Sequence, residues 1–250
     1  MTRKPAIAGR PTLTRRRIGA LLPTLLLAGR PAAAQAPARP IVLELFTSQG
    51  CSSCPPADAL LHRLARNDAT LLPLAFHVTY WDYLGWRDPY SLDEATARQR
   101  AYARVTASGS VYTPQLIVDG RHEVVGSDQL GVARAIRDAA AEMVAPPALR
   151  IARAGGTVTV EVGAAAGMPP GQVLLIGYDR EHRTPVGRGE NGGKTLLEAN
   201  VVRSMVPLGS WRGGALRVPH ALPAGERLAV LVQAADGHLL AAATEPDAAT

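Results

Sequence analysis

The chain's only two cysteines, Cys51 and Cys54, stand three residues apart as Cys-Ser-Ser-Cys. Residues 41–46 before them, Ile-Val-Leu-Glu-Leu-Phe, form an apolar strand candidate broken only by Glu44, and residues 47–50 read as a turn. After them, Pro55-Pro56 open a helix with Leu60, Leu61 and Leu64 on one apolar face. A helix N-terminus offers free backbone N–H groups and a positive dipole end, which stabilise a thiolate and predict a lowered pKa at Cys51. Cys54, one turn later, can then attack a mixed disulfide and release its substrate. Cross-linking so short a loop removes little unfolded-state entropy, so stability is a poor reason for the pair. Two thiols are too few for a structural zinc site. Dithiol–disulfide chemistry is the leading expectation. An inert or redox-sensing bridge and a Cu(I) site remain as alternatives.

Charge points to the compartment rather than to a partner. The formal net charge is +6 and the pI about 9.8, which suggests nucleic acid until the charges are located. Arg3, Lys4, Arg10, Arg15, Arg16, Arg17 and Arg30 all precede residue 37, with no acidic residue among them. Removing those seven charges from +6 leaves −1, so the remainder has no basic patch and no nucleic-acid partner is expected. Residues 1–36 read as an export signal: a basic start, a short apolar stretch at 18–28, then Ala32-Ala33-Ala34 or Ala34-Gln35-Ala36 for cleavage. Thr14-Arg15-Arg16-Arg17-Ile18 resembles the twin-arginine variant. The mature chain is expected to be periplasmic or secreted and to carry no integral membrane span.

Residues 71–80 predict a second buried strand. Residues 113–121 predict a strand entering an Asp119-Gly120 hairpin turn, with its return at 122–125. Ser127 and Asp128 then cap a helix through Leu130, Ala133, Ile136, Ala140 and Met143. A further helix over 91–107 is inserted between these parts. The order β-α-β, insertion, β-β-α resembles thioredoxin. That resemblance implies a cis-proline facing the Cys-x-x-Cys helix, and Thr113-Pro114 falls at its place, with Thr113 and Pro114 expected to hold the substrate. The chain is more similar still to a secreted bacterial family catalogued as domain of unknown function 1223. The similarity rests on residues 44–58, on His77-Val78-Thr79-Tyr80-Trp81-Asp82 and on Tyr112-Thr113-Pro114-Gln115. Residues 188–193 and Asn200-Val201-Val202-Arg203 extend it into the tail. It implies a thioredoxin-like fold with an attached β domain and supplies no substrate.

Other residues divide between site and scaffold. Glu44, seven residues before Cys51, is a candidate proton carrier, or else a carboxylate paired with an arginine. Eight aromatics between Phe76 and Tyr112 predict either a wall for substrate beside the pair, with Trp81 as its contact, or the core under the inserted helix. His77 and Asp82 do not make a metal site, and a core histidine is the simpler reading. Gly-Lys-Thr at 193–195 lacks the first glycine of a phosphate loop, because Arg188 stands there, so Glu190 and Asn191 read as hairpin-turn residues. Pro146-Pro147 marks a boundary, and short alternating stretches beyond it predict strands.

The expected architecture is α/β. A thioredoxin-like domain with a helical insertion occupies 37–146, followed by an all-β sandwich-like domain over 147–250. The expected function is thiol–disulfide oxidoreduction on a protein or small-thiol substrate, with Cys51 as nucleophile, Cys54 as resolving thiol and Glu44 assisting. No organic cofactor and no metal is required, because the disulfide itself carries the electrons. A non-catalytic binding protein on the same scaffold is the main rival, and a Cu(I) chaperone the lesser one.

Overall fold

A computed structural model describes residues 1–2, 39–106 and 108–246. All but the first two residues of the expected export signal lie outside the described residues. Strand β1 (Ile41–Thr47) runs parallel to β2 (Leu71–His77), and helix α1 (Pro55–Asn67) joins them. Both strands are buried along their whole length, as continuous apolar runs in a covered sheet should be. The second is shorter than the sequence predicts: it ends at His77 and gives way to a 3-10 turn at Thr79–Trp81. Helix α2 (Asp93–Ala103) is likewise trimmed at both ends. Strands β3 (Gln115–Val118) and β4 (His122–Val125) form the expected hairpin, with Asp119 and Gly120 both at positive φ. Asp128 caps helix α3 (Gln129–Glu142) by accepting from the Gly131 amide at 3.0 Å.

The two-residue period of β1 sorts its side chains between two cores. Ile41, Leu43 and Leu45 pack with Leu60 and Leu61 of α1 and with Val132 and Ala135 of α3. Val42 and Phe46 point the other way, toward Ala95 and Tyr102 of α2. The same alternation puts Leu71 and Ala75 of β2 on the α1 face, and Leu72, Leu74 and Phe76 on the α2 face.

Beyond residue 147 come β5 (Leu149–Ala154), β6 (Thr157–Val162), β7 (Gly171–Pro185), β8 (Thr195–Trp211), β9 (Leu216–Ala221), β10 (Arg227–Ala234) and β11 (Leu239–Thr244). They do not form a separate pair of sheets. One eight-stranded sheet runs β11-β10-β7-β8-β2-β1-β3-β4, and only β5-β6-β9 stand apart. The reason is the length of β7 and β8, 15 and 17 residues, enough to serve both halves. Their outer ends build the sandwich-like part, where Val158 and Val160 of β6 share a core with Leu175, Trp211 and Leu228. Strand β8 also reaches β2, where Val201 pairs with Ala75 and the Asn200 side-chain amide donates to the Pro73 carbonyl at 2.8 Å. The described residues between 39 and 246 thus hold together as one unit across the expected boundary at 146/147. Strand β9 escaped prediction because Pro219 interrupts its pattern. It pairs only with β6, and an edge position tolerates the missing N–H.

Candidate active site around the Cys51–Cys54 pair

Cys51 and Cys54 are joined by a disulfide, with Cα atoms 5.4 Å apart, and both residues are 0% exposed. The helix begins at Pro55, as the sequence suggests, and this leaves Cys51 short of it. Cys54 is its N-cap residue, with its carbonyl accepting from the amides of Ala57 (2.8 Å) and Asp58 (3.1 Å), so Cys51 lies outside the helix. Pro55 and Pro56 carry no N–H, which removes donors from the first turn. What faces the Cys51 sulfur is the Ser53 hydroxyl, at 3.3 Å.

Three of the expected substrate-side residues gather at this turn. The Thr113–Pro114 bond is cis. The Ser53 hydroxyl donates to the Thr113 carbonyl at 3.5 Å, and the Trp81 indole donates to the Thr113 hydroxyl at 2.8 Å. Trp81 also lies against Gly50, where an added Cβ would come within 3.2 Å of its own Cβ. Gly126 closes the other side: a side chain there would meet Pro114 Cβ at 3.3 Å and Leu45 Cδ1 at 2.7 Å. The aromatics divide between both expected roles. Phe76 and Tyr102 are core under α2, while Trp81 and Trp86 stand half-buried beside the cysteine turn.

Glu44 does not join them. It shares the β1 parity of Val42 and Phe46 and so lies on the α2 face, across the sheet from α1. There the Arg98 guanidinium donates to both carboxylate oxygens, through Nε and through Nη2 at 2.8 Å, and the Tyr102 hydroxyl adds a third bond. Arg98 Nη1 is tied in turn to Gln233 Oε1 at 3.0 Å. This is the arginine-paired alternative, fully buried, with both oxygens engaged.

The acidic chemistry near the cysteines belongs to residues the sequence did not single out. Asp58 follows Cys54, the N-cap residue, by four positions, one turn into α1. It accepts from the Thr47 hydroxyl at 2.8 Å. Burial, reinforced by the charge of Glu198, pushes its carboxyl up to about 7. His77, at the end of β2 on this same face, is wholly buried and bonded through Nδ1 to Asp88 at 2.7 Å. Burial works against its charge, but Asp88 and Glu198 outweigh that and raise the imidazole to about 9. Glu198 of β8 lies 3.8 Å from His77 Nε2, and burial raises its carboxyl despite the nearby imidazole. Asp88 is held below the usual range: burial opposes its charge, but His77 and the amides of Gln49 and Tyr90 prevail. Asp82 accepts from the Asp88 amide and the Ser91 hydroxyl.

Gln49 links this group to the cysteine turn. Its amide donates to Asp88 and its side chain to Glu198, each at 2.8 Å, while its side-chain oxygen accepts from the Trp86 indole at 3.0 Å. Over the turn lies the β7–β8 loop, residues 186–194. Gly189 and Gly193 take positive φ there, as hairpin-turn residues do. Asn191 is 0% exposed, and its amide donates to the carbonyls of Gln49 (3.0 Å) and Cys51 (2.9 Å). The Glu190 carboxylate accepts from the Ser52 amide at 3.0 Å, and the Ser52 hydroxyl together with that amide holds it below the usual carboxylate range. Lys194, which ended the phosphate-loop lookalike, bonds to Asn191 Oδ1 at 2.9 Å. Parity could have put His77 and Thr47 on one face, but nothing local announces that Glu198 and Asn191 arrive there. Among the described residues no three His, Cys, Asp or Glu side chains are grouped to hold a metal ion, and no helix is long and apolar enough to cross a membrane.

The sequence profile of a family described as Protein of unknown function (DUF1223) matches residues 42–233, which include the cysteine turn, the Thr113–Pro114 bond and the 186–194 loop. The chain belongs to that family. It is similar to the X-ray crystal structure of protein AGR_C_4864 from Agrobacterium tumefaciens, at 31% identity and a TM-score of 0.72, covering 87% of this chain and 98% of the other. HBP35 of Porphyromonas gingivalis is similar in fold alone, at 15% identity and a TM-score of 0.54, over 85% and 78% of the two chains. No curated protein matches the chain. This member of the family is mixed α/β, with a large, mostly antiparallel sheet and three α-helices among its described residues.

Proposed function

We propose that this family member is an exported thiol–disulfide oxidoreductase on a thioredoxin-like scaffold, acting through Cys51 and Cys54 on a protein or small-thiol substrate. The observation that carries the reading is the disulfide at the start of α1 with the buried Asp58 carboxyl one turn along from Cys54. A substrate thiolate bonds to Cys51 Sγ, the Cys51–Cys54 bond breaks, and its electron pair passes to Cys54 Sγ. Asp58 then gives Cys54 its proton. In reverse, Asp58 takes the proton back as Cys54 attacks the mixed disulfide. In the forward direction a second thiolate of the reductant attacks the substrate sulfur and expels Cys51 Sγ as a thiolate, so a dithiol becomes a disulfide and no cofactor takes part. Asp58 replaces Glu44 in this scheme, because Arg98 and Tyr102 occupy the Glu44 oxygens. Thr113 offers a carbonyl held only by the long Ser53 bond, and Trp81 flanks it.

The test is the redox potential of the pair against glutathione, with Cys54→Ser run alongside to trap mixed disulfides. A potential between about −120 and −270 mV with trapped partners supports exchange. A potential below about −300 mV with nothing trapped overturns it. The competing reading, a non-catalytic binding protein, draws on the complete burial of both cysteines and predicts that second result. Export rests on the basic-then-apolar residues 1–36 and is checked by sequencing the N-terminus of the envelope-fraction protein, expected near residue 37.

A further inference from the structure

Three carboxyls and one imidazole, brought by four segments of chain, meet beneath the cysteine turn. Asp58 comes from α1, His77 from β2, Asp88 from the 82–92 segment and Glu198 from β8, and none is more than 6% exposed. With every group ionised, two net negative charges would be buried, which is costly in a low-dielectric interior. The group therefore holds a proton beyond the one on His77. Two atoms are left over to deal with it. Among the described residues, His77 Nε2 and Glu198 Oε1 are buried without a hydrogen-bond partner and face one another across 3.8 Å. Other polar atoms of the cluster are engaged: His77 Nδ1 by Asp88, Glu198 Oε2 by Gln49 and Asp58 Oδ1 by Thr47.

We propose that His77, Asp88 and Glu198 form a proton store serving Asp58, so that reduction and reoxidation of the Cys51–Cys54 pair are coupled to the protonation of this cluster. The inference rests on the oxidoreductase reading and extends it to groups outside the exchange itself. When Asp58 gives its proton to Cys54, the carboxylate left behind is balanced by the His77 imidazolium. Glu198, repelled by that new charge, takes up a proton more readily. Asp88, bonded to His77 and to the amides of Gln49 and Tyr90, fixes the ring so that Nε2 faces Glu198. The remaining groups on this side are Tyr90, whose ring stands edge-on to His77, and beyond it His182 and Arg203, both packed on Tyr90. The raised values of Asp58 and Glu198 agree with a shared proton.

The experiment follows the carboxyl carbons by NMR across pH, in full-length protein kept oxidised and in the same protein reduced with dithiothreitol. The coupling predicts a buried carboxyl that titrates near neutrality when the pair is oxidised and moves upward by roughly tenfold in proton affinity when it is reduced. Glu198→Gln, nearly isosteric, is expected to lower that titration roughly tenfold in both states. Identical titration in the two redox states, in a protein that exchanges normally with glutathione, overturns the proton store and leaves the oxidoreductase standing. A pair that exchanges with nothing at any pH overturns both. The comparison of redox states needs no variant, so a misfolded substitution does not rescue the idea.

Discussion

Glu44 and Asp58 show how one residue's surroundings decide its chemistry. Both are buried carboxyls within eight residues of a cysteine, yet Glu44 meets a guanidinium and Asp58 meets other carboxyls. Removing one partner of a buried ion pair leaves the other charge uncompensated. Glu44→Gln is therefore expected to lower stability by about 3 kcal/mol, read from urea unfolding, while exchange with glutathione stays within about twofold. Asp58→Asn should do the opposite, slowing resolution of the mixed disulfide by roughly a hundredfold with little loss of stability. A hundredfold loss in Glu44→Gln would restore it as the proton carrier. The cluster also fixes the sign of a pH dependence. Asp58 is raised from 3.8 to about 7 and His77 from 6.5 to about 9, so the native state binds more protons than the unfolded chain across both windows. The stability they contribute is complete at low pH and is lost as pH rises through the folded values. The urea midpoint should fall between pH 5.5 and pH 9, and a midpoint that rises would contradict the assignments. That β1 and β2 are buried strands was legible in the sequence as continuous apolar runs. Which face α1 would cover was not, because both faces are apolar.

At the scale of an element, the proposed exchange requires the 186–194 loop to let a substrate in. Cys51 is fully buried, and the loop is fastened to the cysteine turn by the two Asn191 amide bonds and the Glu190–Ser52 bond. Each neutral hydrogen bond contributes about 1 kcal/mol. Losing both in Asn191→Ala therefore favours the open loop by about 2 kcal/mol, roughly thirtyfold in the rate of reduction by a small thiol. An unchanged rate would mean that thiols enter by another side of the turn. Glycines and a Gly-Glu-Asn-Gly-Gly string made this loop readable as a hairpin turn. Its target was not readable, since Asn191 and Cys51 lie 140 positions apart. The start of α1 carries the same lesson on a smaller scale. Pro55 correctly marked the first helical turn, but two adjacent prolines also strip that turn of the N–H groups on which the sequence argument for Cys51 relied.

For the whole molecule, most strands were foreseen and their arrangement was not. Alternation marks a strand locally, whereas pairing order depends on how long strands such as β7 and β8 reach past one another. A fragment ending at residue 146 would keep α1, α2, α3 and both cysteines but lose β8, the neighbour of β2, together with Glu198 and Asn191. It should show no cooperative unfolding transition. A sharp transition in that fragment would prove the first half self-sufficient. The long span between Cys51 and its cover also has a temporal meaning. A chain made from its N-terminus presents its sulfurs well before the loop that shields them, so each newly made molecule passes through an interval with both thiols bare. Whatever oxidant or wrong partner is present during synthesis meets this pair at its most reactive, and the last third of the chain ends that vulnerability by folding over it.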